Sequence, residues 1–225
     1  MTAQIPTQAT GQILGFLGGT GPQGRGLAAR FALASHQVLL GSRDAARGQE
    51  VAAEVAAQTG RAVSGGANED VARSADIAFV VLPYAAQADT LAPLADALAG
   101  TLVVNCVNHM VFDDGGPYAP GVAAGSAAQE CAELLPRSVV VSAFHDISAR
   151  ALGRLDTPMD AHVLICGDDD AAKERVIALA GEIPGLRGVD CGPLRMSRSV
   201  EDLTPVLLHI NKRYGTHASL KISGL

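Results

Sequence analysis

Residues 13–24 read ILGFLGGTGPQG, and this stretch decides the fold that the rest of the chain follows. The apolar run Ile13–Leu17 predicts a buried first strand, and residues 24–35 predict the helix after it. Between them, the spacing Gly19-x-Gly21-x-x-Gly24 allows a tight turn and a close approach of backbone to ligand. The helix then begins with free N–H groups and a positive dipole end, so the loop predicts a site for a dinucleotide pyrophosphate. A purely structural turn is the alternative.

Short apolar runs continue to alternate with alanine-rich segments, which is the βαβ pattern of a parallel sheet covered on both faces. We predict further strands at 38–40, 61–63, 76–82, Leu102–Asn105, 138–143, 162–166 and 187–191. We predict further helices at 44–58, 85–98, 126–135, Asp170–Glu182 and 197–214, the last lying over the sheet, and a turn at 113–118. The predicted fold class is α/β, a Rossmann-type doubly wound, mostly parallel sheet with a small C-terminal extension ending in a helix. We expect a flexible leader at 1–12 and a single domain at 13–225.

The end of the predicted second strand carries Gly41-Ser42-Arg43, with Arg47 four residues further on. Folds that bind NAD usually place an acidic residue there to hold the ribose hydroxyls. A hydroxyl and two guanidinium groups suit the 2′-phosphate of NADP instead. Asp44 is the counter-argument, because NAD would be preferred if its carboxylate faced the ribose. At the start of the next helix, however, Asp44 is better explained as a cap, and we predict NADP(H).

Composition narrows the class of protein. The formal net charge is −6 and no basic run is present, which argues against non-specific nucleic-acid binding. Hydrophobic residues make up 48% and aromatic residues 4%, with no tryptophan, so an aliphatic core is expected. Four cysteines without a CxxC pair lack the spacing of a zinc site and suggest buried thiols in a cytoplasmic protein. No apolar run approaches the roughly 18 residues of a membrane span.

Longer stretches of the chain resemble a known family. They are GGTGPQGRGLA, GSR, NEDVARSADIAFVVLP, VVSAFHDISA, CGDDDAAKERVIALAGEIPGLRGVDCGPL and SRSVEDLTPVLLHI. Together they resemble the NADPH:F420 oxidoreductases, which move hydride between NADP and the deazaflavin coenzyme F420. The GDDD element and the string DCGPL-x-x-SR-x-VE-x-LTP have no place in a generic Rossmann motif. The resemblance extends over roughly residues 12 to 214, and it implies F420 as the second substrate.

The resemblance also implies roles for individual residues. It assigns the pyrophosphate to Thr20, Gly21, Pro22 and Gln23, which adds to the cofactor-binding glycines Gly19 and Gly24 marked by the spacing of the loop. It assigns the 2′-phosphate to Ser42, Arg43 and Arg47, in agreement with the reading of the strand end above. Leu82, Pro83 and Tyr84 would line the path toward the nicotinamide. The backbone amide of Ala149 would orient the carboxamide, and His145 would lie at the deazaflavin as the catalytic residue.

Two segments depart from the family, and both are on the acceptor side. The loop 105–109 is more polar than its counterpart, and the tail 215–225 matches poorly. NADPH with another acceptor, such as a flavin, imine or carbonyl compound, therefore stays open, as does a non-catalytic NADPH-binding regulator. A carbonyl reductase needs a proton donor such as a tyrosine paired with a lysine, and none of the three tyrosines has that spacing. A homodimer is expected from the resemblance and from the apolar segment 206–210, although this segment could equally be core.

The remaining polar candidates have competing explanations. His36 and His162 are predicted to be structural, whereas His109 and His217 lie in the divergent segments and could meet a different acceptor. The carboxylates Asp168, Asp169 and Asp170 precede a helix, so capping is favoured over a metal, and no metal site is predicted. Four cationic residues could attract an anionic coenzyme tail or form a solvated face, namely Arg195, Arg198, Lys212 and Arg213.

Overall fold

The computed structural model of the chain describes residues 11–225, so residues 1–10 of the expected leader lie outside the described part. The strands are β1 Ile13–Leu17, β2 Gln37–Ser42, β3 Val63–Ala67, β4 Ile77–Val80, β5 Leu102–Asn105, β6 Val111–Asp113, β7 Gly116–Tyr118, β8 Val139–Ser142, β9 Ala161–Gly167 and β10 Leu186–Asp190. The α-helices are α1 Pro22–Leu33, α2 Ala45–Thr59, α3 Asn68–Ser74, α4 Gln87–Leu91, α5 Ala127–Leu134, α6 Ala149–Leu152, α7 Asp170–Glu182, α8 Ser197–Glu201 and α9 Leu203–Tyr214. Single turns of 3-10 helix lie at Tyr84–Ala86, Ala92–Leu94 and Leu194–Met196. Within residues 11–225, no helix is long and apolar enough to cross a membrane.

Eight strands form one sheet in the order β10-β9-β8-β5-β4-β1-β2-β3. The six strands from β8 to β3 in this order pair in parallel, and they follow the strand order of a Rossmann sheet. Strand β9 pairs with β8 in antiparallel fashion and with β10 in parallel, so the last two strands run against the other six. The predicted fold class is confirmed. The carboxyl ends of β1, β2, β4, β5 and β8 share one edge, which is where such sheets bind ligands.

The sheet carries a hydrophobic core on each face, as a doubly wound sheet requires. One face packs against α1, α2 and α7, and the other packs against α3, α4 and α5. The core is mainly aliphatic, as predicted, but four of the five phenylalanines cluster on the first face. Phe16 and Phe79 stack with ring centroids 4.8 Å apart, and Phe31 and Phe144 pack around them. The four cysteines are free thiols, of which Cys191 is only half-buried.

The prediction of a third strand at 61–63 is wrong, since the strand is β3 at Val63–Ala67 and an unpredicted helix, α3, follows it. Gly65 and Gly66 have low intrinsic strand propensity, which hides the strand from a pattern of apolar residues. Their role is packing, because a Cβ atom added at Gly65 would lie 2.2 Å from the carbonyl oxygen of Gly48 in α2. Pairing with β2 then forms the strand.

Prolines break two helices that we predict as continuous. Segment 85–98 contains only the short helix α4, with a turn of 3-10 helix on each side, and Pro93 lies in the second of these turns. Segment 197–214 forms two helices that meet at Asp202. Pro205 has no N–H to donate to the carbonyl group four residues earlier, which accounts for the break. Helix α9 packs against the β6–β7 hairpin rather than over the sheet.

Candidate nucleotide and acceptor site

The glycine loop is held from three sides by its neighbours. The amide of Gly18 donates to Asn68 Oδ1 at 3.0 Å, and that of Gly19 lies 3.2 Å from Phe16 O and 3.1 Å from Gly41 O. Gly18 has a φ of +69°, which favours glycine, and a Cβ atom added at Gly24 would lie 2.4 Å from the carbonyl oxygen of Gly19. These positions therefore require glycine for the loop itself.

Gly21 differs from the other glycines of the loop. Its φ is −79°, and an added Cβ atom would meet no atom within 4 Å among the described residues. Gly21 is the N-cap residue of α1, which begins at Pro22 rather than at 24, and no side chain caps the first turn. The first N–H groups of α1 thus face open space, which is the arrangement that binds a phosphate. Neither the backbone conformation nor the described neighbours of Gly21 require glycine at this position.

The end of β2 forms the second part of the site. Asp44 caps α2 by accepting a hydrogen bond from the amide of Ala46 at 3.0 Å, as predicted, and its own amide donates to Ser42 Oγ at 3.2 Å. Arg43 is exposed, and it lines a cleft of about 420 Å³ together with Ser42 and Asn68. Arg47 is paired with Glu50, Nη1 to Oε2 at 2.5 Å, and this carboxylate raises the pKa of the guanidinium.

The segment after β4 lies beside the glycine loop. Leu82 packs on Gly18 so closely that a Cβ atom there would be 2.1 Å from Leu82 Cδ2. Pro83 is exposed, and Tyr84 donates from its hydroxyl to Glu130 Oε1 at 3.2 Å. Burial, followed by the charge of Glu130, raises the pKa of Tyr84. Tyr84 therefore stays protonated, and its hydrogen bond to Glu130 fixes it beside the carboxyl edge of the sheet.

A strained turn follows β8. Phe144 has a φ of +64°, an unusual conformation for a bulky residue. Its carbonyl accepts a hydrogen bond from Gln23 Nε2 at 2.7 Å, which ties the turn to the glycine loop. The carbonyl of His145 accepts from Asn108 Nδ2 at 2.9 Å and from Thr204 Oγ1 at 3.3 Å. The turn is thus positioned by three separate elements at once.

The turn also buries two titratable side chains without partners. Both ring nitrogens of His145 and both carboxyl oxygens of Asp146 lack a hydrogen-bond partner among residues 11–225. Burial lowers the pKa of His145, with the charge of Glu201 opposing it. Burial raises the pKa of Asp146 from 3.8 to about 6. Asp146 is an additional candidate that was not predicted, although a carboxylate directly after a strand-end histidine is visible in the sequence.

A cavity of about 370 Å³ lies between this turn, the glycine loop and α9. Its lining includes the predicted residues Gln23, His145 and Ala149, together with Asn108, Thr204 and His217. Ser42 and Arg43 line the separate cleft near α3 and α4, on the other side of the glycine loop. Neither space is lined by the other predicted residues outside the glycine loop, namely Arg47, Leu82, Pro83 and Tyr84.

His109 does not line this cavity, contrary to the suggestion that it meets an acceptor. It is 1% exposed, with Nδ1 2.5 Å from Glu201 Oε2 and Nε2 3.3 Å from Asp202 Oδ1. Glu201 also accepts from the amides of Ala127 and Ala128 at the start of α5. His109 therefore belongs to a structural network beneath the acceptor side.

Other polar residues have structural roles, as predicted. Asp169 caps α7 through the amide of Ala172 at 2.8 Å, and Asp168 accepts from the amide of Leu194 at 2.9 Å. His36 is paired with Glu182, and His162 Nδ1 accepts from the amide of Ile222 at 3.0 Å. Arg198 is bound to Asp202, with Nε 2.8 Å from Oδ2, so it is not free for an anion.

Comparison with known proteins identifies the class to which this fold and site belong. Residues 13–109 match the family described as NADP oxidoreductase, coenzyme F420-dependent. The chain is 36% identical to the F420-dependent NADP reductase of Methanocaldococcus jannaschii, over 89% of this chain and 93% of the relative. It is also 36% identical to the F420-dependent NADP reductase of Methanothermobacter thermautotrophicus, over 93% and 94% respectively. The chain belongs to this family, which confirms the resemblance.

A solved structure is similar along nearly its whole length. A crystal structure from Arthrobacter sp. FB24, described as a candidate F420-dependent NADP reductase, superposes with a TM-score of 0.81. Sequence identity is 26%, and the alignment covers 94% of this chain and 99% of the other. The similarity therefore extends over nearly all of the fold described above.

Proposed function

We propose that this chain transfers a hydride between NADP(H) and coenzyme F420 at the cavity between the glycine loop and the turn after β8. Membership of the family makes it an oxidoreductase that uses these two coenzymes, as the sequence analysis predicted. One observation carries the location. Gln23, His145 and Ala149 line the same cavity, although they lie on three separate elements.

The nucleotide is proposed to lie across the carboxyl edge of the sheet. The backbone of Thr20–Gly24 would hold the pyrophosphate at the open start of α1, where Gly21 leaves space. Ser42, Arg43 and Arg47 would hold the 2′-phosphate. Leu82, Pro83 and Tyr84 would flank the path to the nicotinamide. This extended arrangement is supported by the two separate spaces, one lined by Ser42 and Arg43 and the other by Gln23 and Ala149.

The chemistry asks the protein mainly for orientation. The carbon atoms that exchange the hydride both belong to the coenzymes, so the protein must hold two rings face to face. Ala149 lines the cavity and is small enough to allow that approach, whereas Ala143 is buried in the core. The amide of Ala149 is the first N–H group of α6. The deazaflavin also gains a proton on a ring nitrogen when it is reduced. We propose that His145 assists this protonation or hydrogen-bonds a carbonyl group of the deazaflavin ring.

The state of His145 in the free protein bears on this role. Its ring nitrogens are buried and unpaired, and its pKa is lowered, so the ring is neutral and has both a donor and an acceptor to offer. Leaving such a group without a partner costs free energy. A ring carbonyl or ring nitrogen of the acceptor would supply the missing partner once the turn adjusts.

The test is the visible absorbance of F420 mixed with the protein and NADPH. We expect bleaching, and the variant His145→Ala should slow turnover of F420 while leaving NADPH affinity unchanged. The matched control is His36→Ala, which removes a histidine distant from the cavity. A deazaflavin spectrum that never changes in either direction between pH 5 and 8 would contradict the proposal. NADPH oxidation with a flavin, imine or carbonyl compound alone would transfer the function to that acceptor, and binding without turnover would indicate a regulator.

We also propose a homodimer formed through α9 and the β6–β7 hairpin. Segment 206–210 contributes Leu207 to the interior, whereas Val206 is 51% exposed. Phe112 of the hairpin and Tyr214 of α9 are 69% and 74% exposed, and such apolar surface is typical of an interface. Sedimentation showing a monomer of 23.0 kDa at micromolar concentration would contradict the dimer.

A cytoplasmic location is part of the proposal, supported by four free thiols.

A further inference from the structure

The cavity proposed for the two rings continues into a larger open groove. This groove has a volume of about 850 Å³ and lies between α6 and the chain that follows α9. It shares Arg150, Leu208, Asn211 and His217 with the acceptor cavity. A ligand whose ring fills the cavity therefore has a direct path into the groove for any longer substituent.

The groove is cationic, although the whole chain is acidic. Its lining contains Arg150, Arg154 and His217 but no aspartate or glutamate. Within residues 11–225, neither arginine has a carboxylate within 4.0 Å. Seven of the other fifteen Lys and Arg side chains do and eight do not, so the distinguishing feature is that two unpaired arginines line one groove. Asp160, in the adjoining pocket, is already paired with Lys221 at 2.7 Å. With a net charge of −6, two unpaired arginines in one groove favour an anionic ligand.

The backbone that presents these arginines is rigidly held. Arg30 of α1 is 3% exposed. Its guanidinium donates to four carbonyl groups at the end of α6 and in the chain directly after it. They belong to Ala151 at 3.2 Å, Leu152 at 3.0 Å, Arg154 at 2.7 Å and Thr157 at 3.0 Å. The same helix carries the glycine loop at its start, so the groove and the phosphate loop are built on one element. A fixed segment lowers the entropy lost when its side chains bind a ligand.

We propose that Arg150, Arg154 and His217 form a subsite for the anionic tail of the acceptor coenzyme, which carries a phosphate and carboxylates beyond its ring. This subsite rests on the proposed function, because it needs the ring in the cavity. It differs from the four cationic residues suggested by the sequence. Arg195 lies at another surface pocket, Arg198 is paired with Asp202, and Lys212 and Arg213 lie outside the groove lining.

The test compares F420 with the deazaflavin alcohol that lacks phosphate and carboxylates. Both are assayed with NADPH, and the measured quantity is the ratio of their kcat/KM values. The double variant Arg150→Gln with Arg154→Gln should lower this ratio at least tenfold and weaken its dependence on salt. The control double variant, Lys212→Gln with Arg213→Gln, removes the same charge outside the groove and should leave the ratio unchanged.

The outcomes separate this subsite from the function on which it rests. An unchanged ratio in the groove variant, with both acceptors still reduced, overturns the subsite and leaves the proposed function standing. An equal fall in the ratio for the control variant also overturns it, because the effect would then be one of net charge. Reduction of neither acceptor by the unmodified protein overturns both proposals.

Discussion

Replacing Arg43 with alanine should weaken NADPH binding at least tenfold and leave NADH binding nearly unchanged. Arg43 is exposed at the rim of the cleft that Ser42 and Asn68 also line. Among residues 11–225, it has no carboxylate within 4.0 Å to compete for its guanidinium. Glu69 and Asp89 also line the cleft, but neither lies within 4.0 Å of Arg43, so its guanidinium is free to contact a 2′-phosphate, which NADH lacks.

The size of the effect follows from the contact that is lost. A hydrogen bond to a charged group contributes about 1.5–3 kcal/mol. This range corresponds to roughly a 10- to 150-fold change in the dissociation constant. Arg47 should contribute less than Arg43, because it must first leave Glu50, which lies 2.5 Å away. Arg47→Ala should then cost less affinity, and Glu50→Gln should improve NADPH binding by releasing Arg47.

Titration calorimetry of both nucleotides on each protein measures these differences. The control is Arg61→Ala, which removes an exposed arginine that does not line the cleft. An equal loss of affinity for NADPH and NADH in Arg43→Ala would show that the residue supports the fold of the cleft and does not recognise the phosphate. Tighter binding of NADH than of NADPH by the unmodified protein would indicate that Asp44 holds the ribose instead.

Three further variants test the framework of the site. Gly21→Val should abolish NADPH binding without changing the melting temperature, whereas Gly24→Val should lower the melting temperature because its Cβ atom would lie 2.4 Å from Gly19 O. Circular dichroism measures the melting temperature and a binding assay measures the affinity. Normal affinity in Gly21→Val would place the nucleotide elsewhere. Arg30→Met should reduce the free energy of unfolding in urea by about 3 kcal/mol or more, because four carbonyl groups lose their donor; no change would contradict the structural role. Burial raises the pKa of Asp146 from 3.8 to about 6, so its contribution to stability is fully present below pH 4 and is lost as the pH rises through 6. At pH 8, the free energy of unfolding of Asp146→Asn should therefore exceed that of the unmodified protein by up to about 3 kcal/mol. Urea titrations should show this difference shrinking toward pH 4, and a difference independent of pH would refute the reasoning.

Local sequence predicts those parts of the fold whose cause is local. Strands β1 and β5 and helix α7 have the predicted bounds, because each is a single apolar or alanine-rich run between turn residues. Strand β3 forms through pairing and through the contact of Gly65 with Gly48, and neither is visible in a run of three glycine and serine residues. Tertiary contact overrides strand propensity there.

The same distinction divides the candidate site. The glycine loop and the Ser42–Arg43 pair each lie within a short stretch of sequence, so spacing alone predicts the roles proposed for them. The contact of Arg30 with the segment after α6 joins residues more than a hundred positions apart, and no local pattern encodes it. The unpaired state of Asp146 and the burial of His109 against Glu201 depend in the same way on how distant elements pack.

The turn after β8 concentrates the features that cost the free protein stability. The left-handed backbone conformation costs a bulky residue roughly 1–2 kcal/mol of folding free energy. Phe144 adopts this conformation while its side chain packs in the core and its carbonyl accepts a hydrogen bond from Gln23. The next two residues, His145 and Asp146, bury polar atoms without partners. Such exceptions persist where the surroundings impose them, and they are typical of functional sites. Because Gln23 belongs to the phosphate loop, the strain at Phe144 is coupled directly to the segment proposed to bind the nucleotide. One hydrogen bond thus joins the phosphate loop to the turn that carries His145.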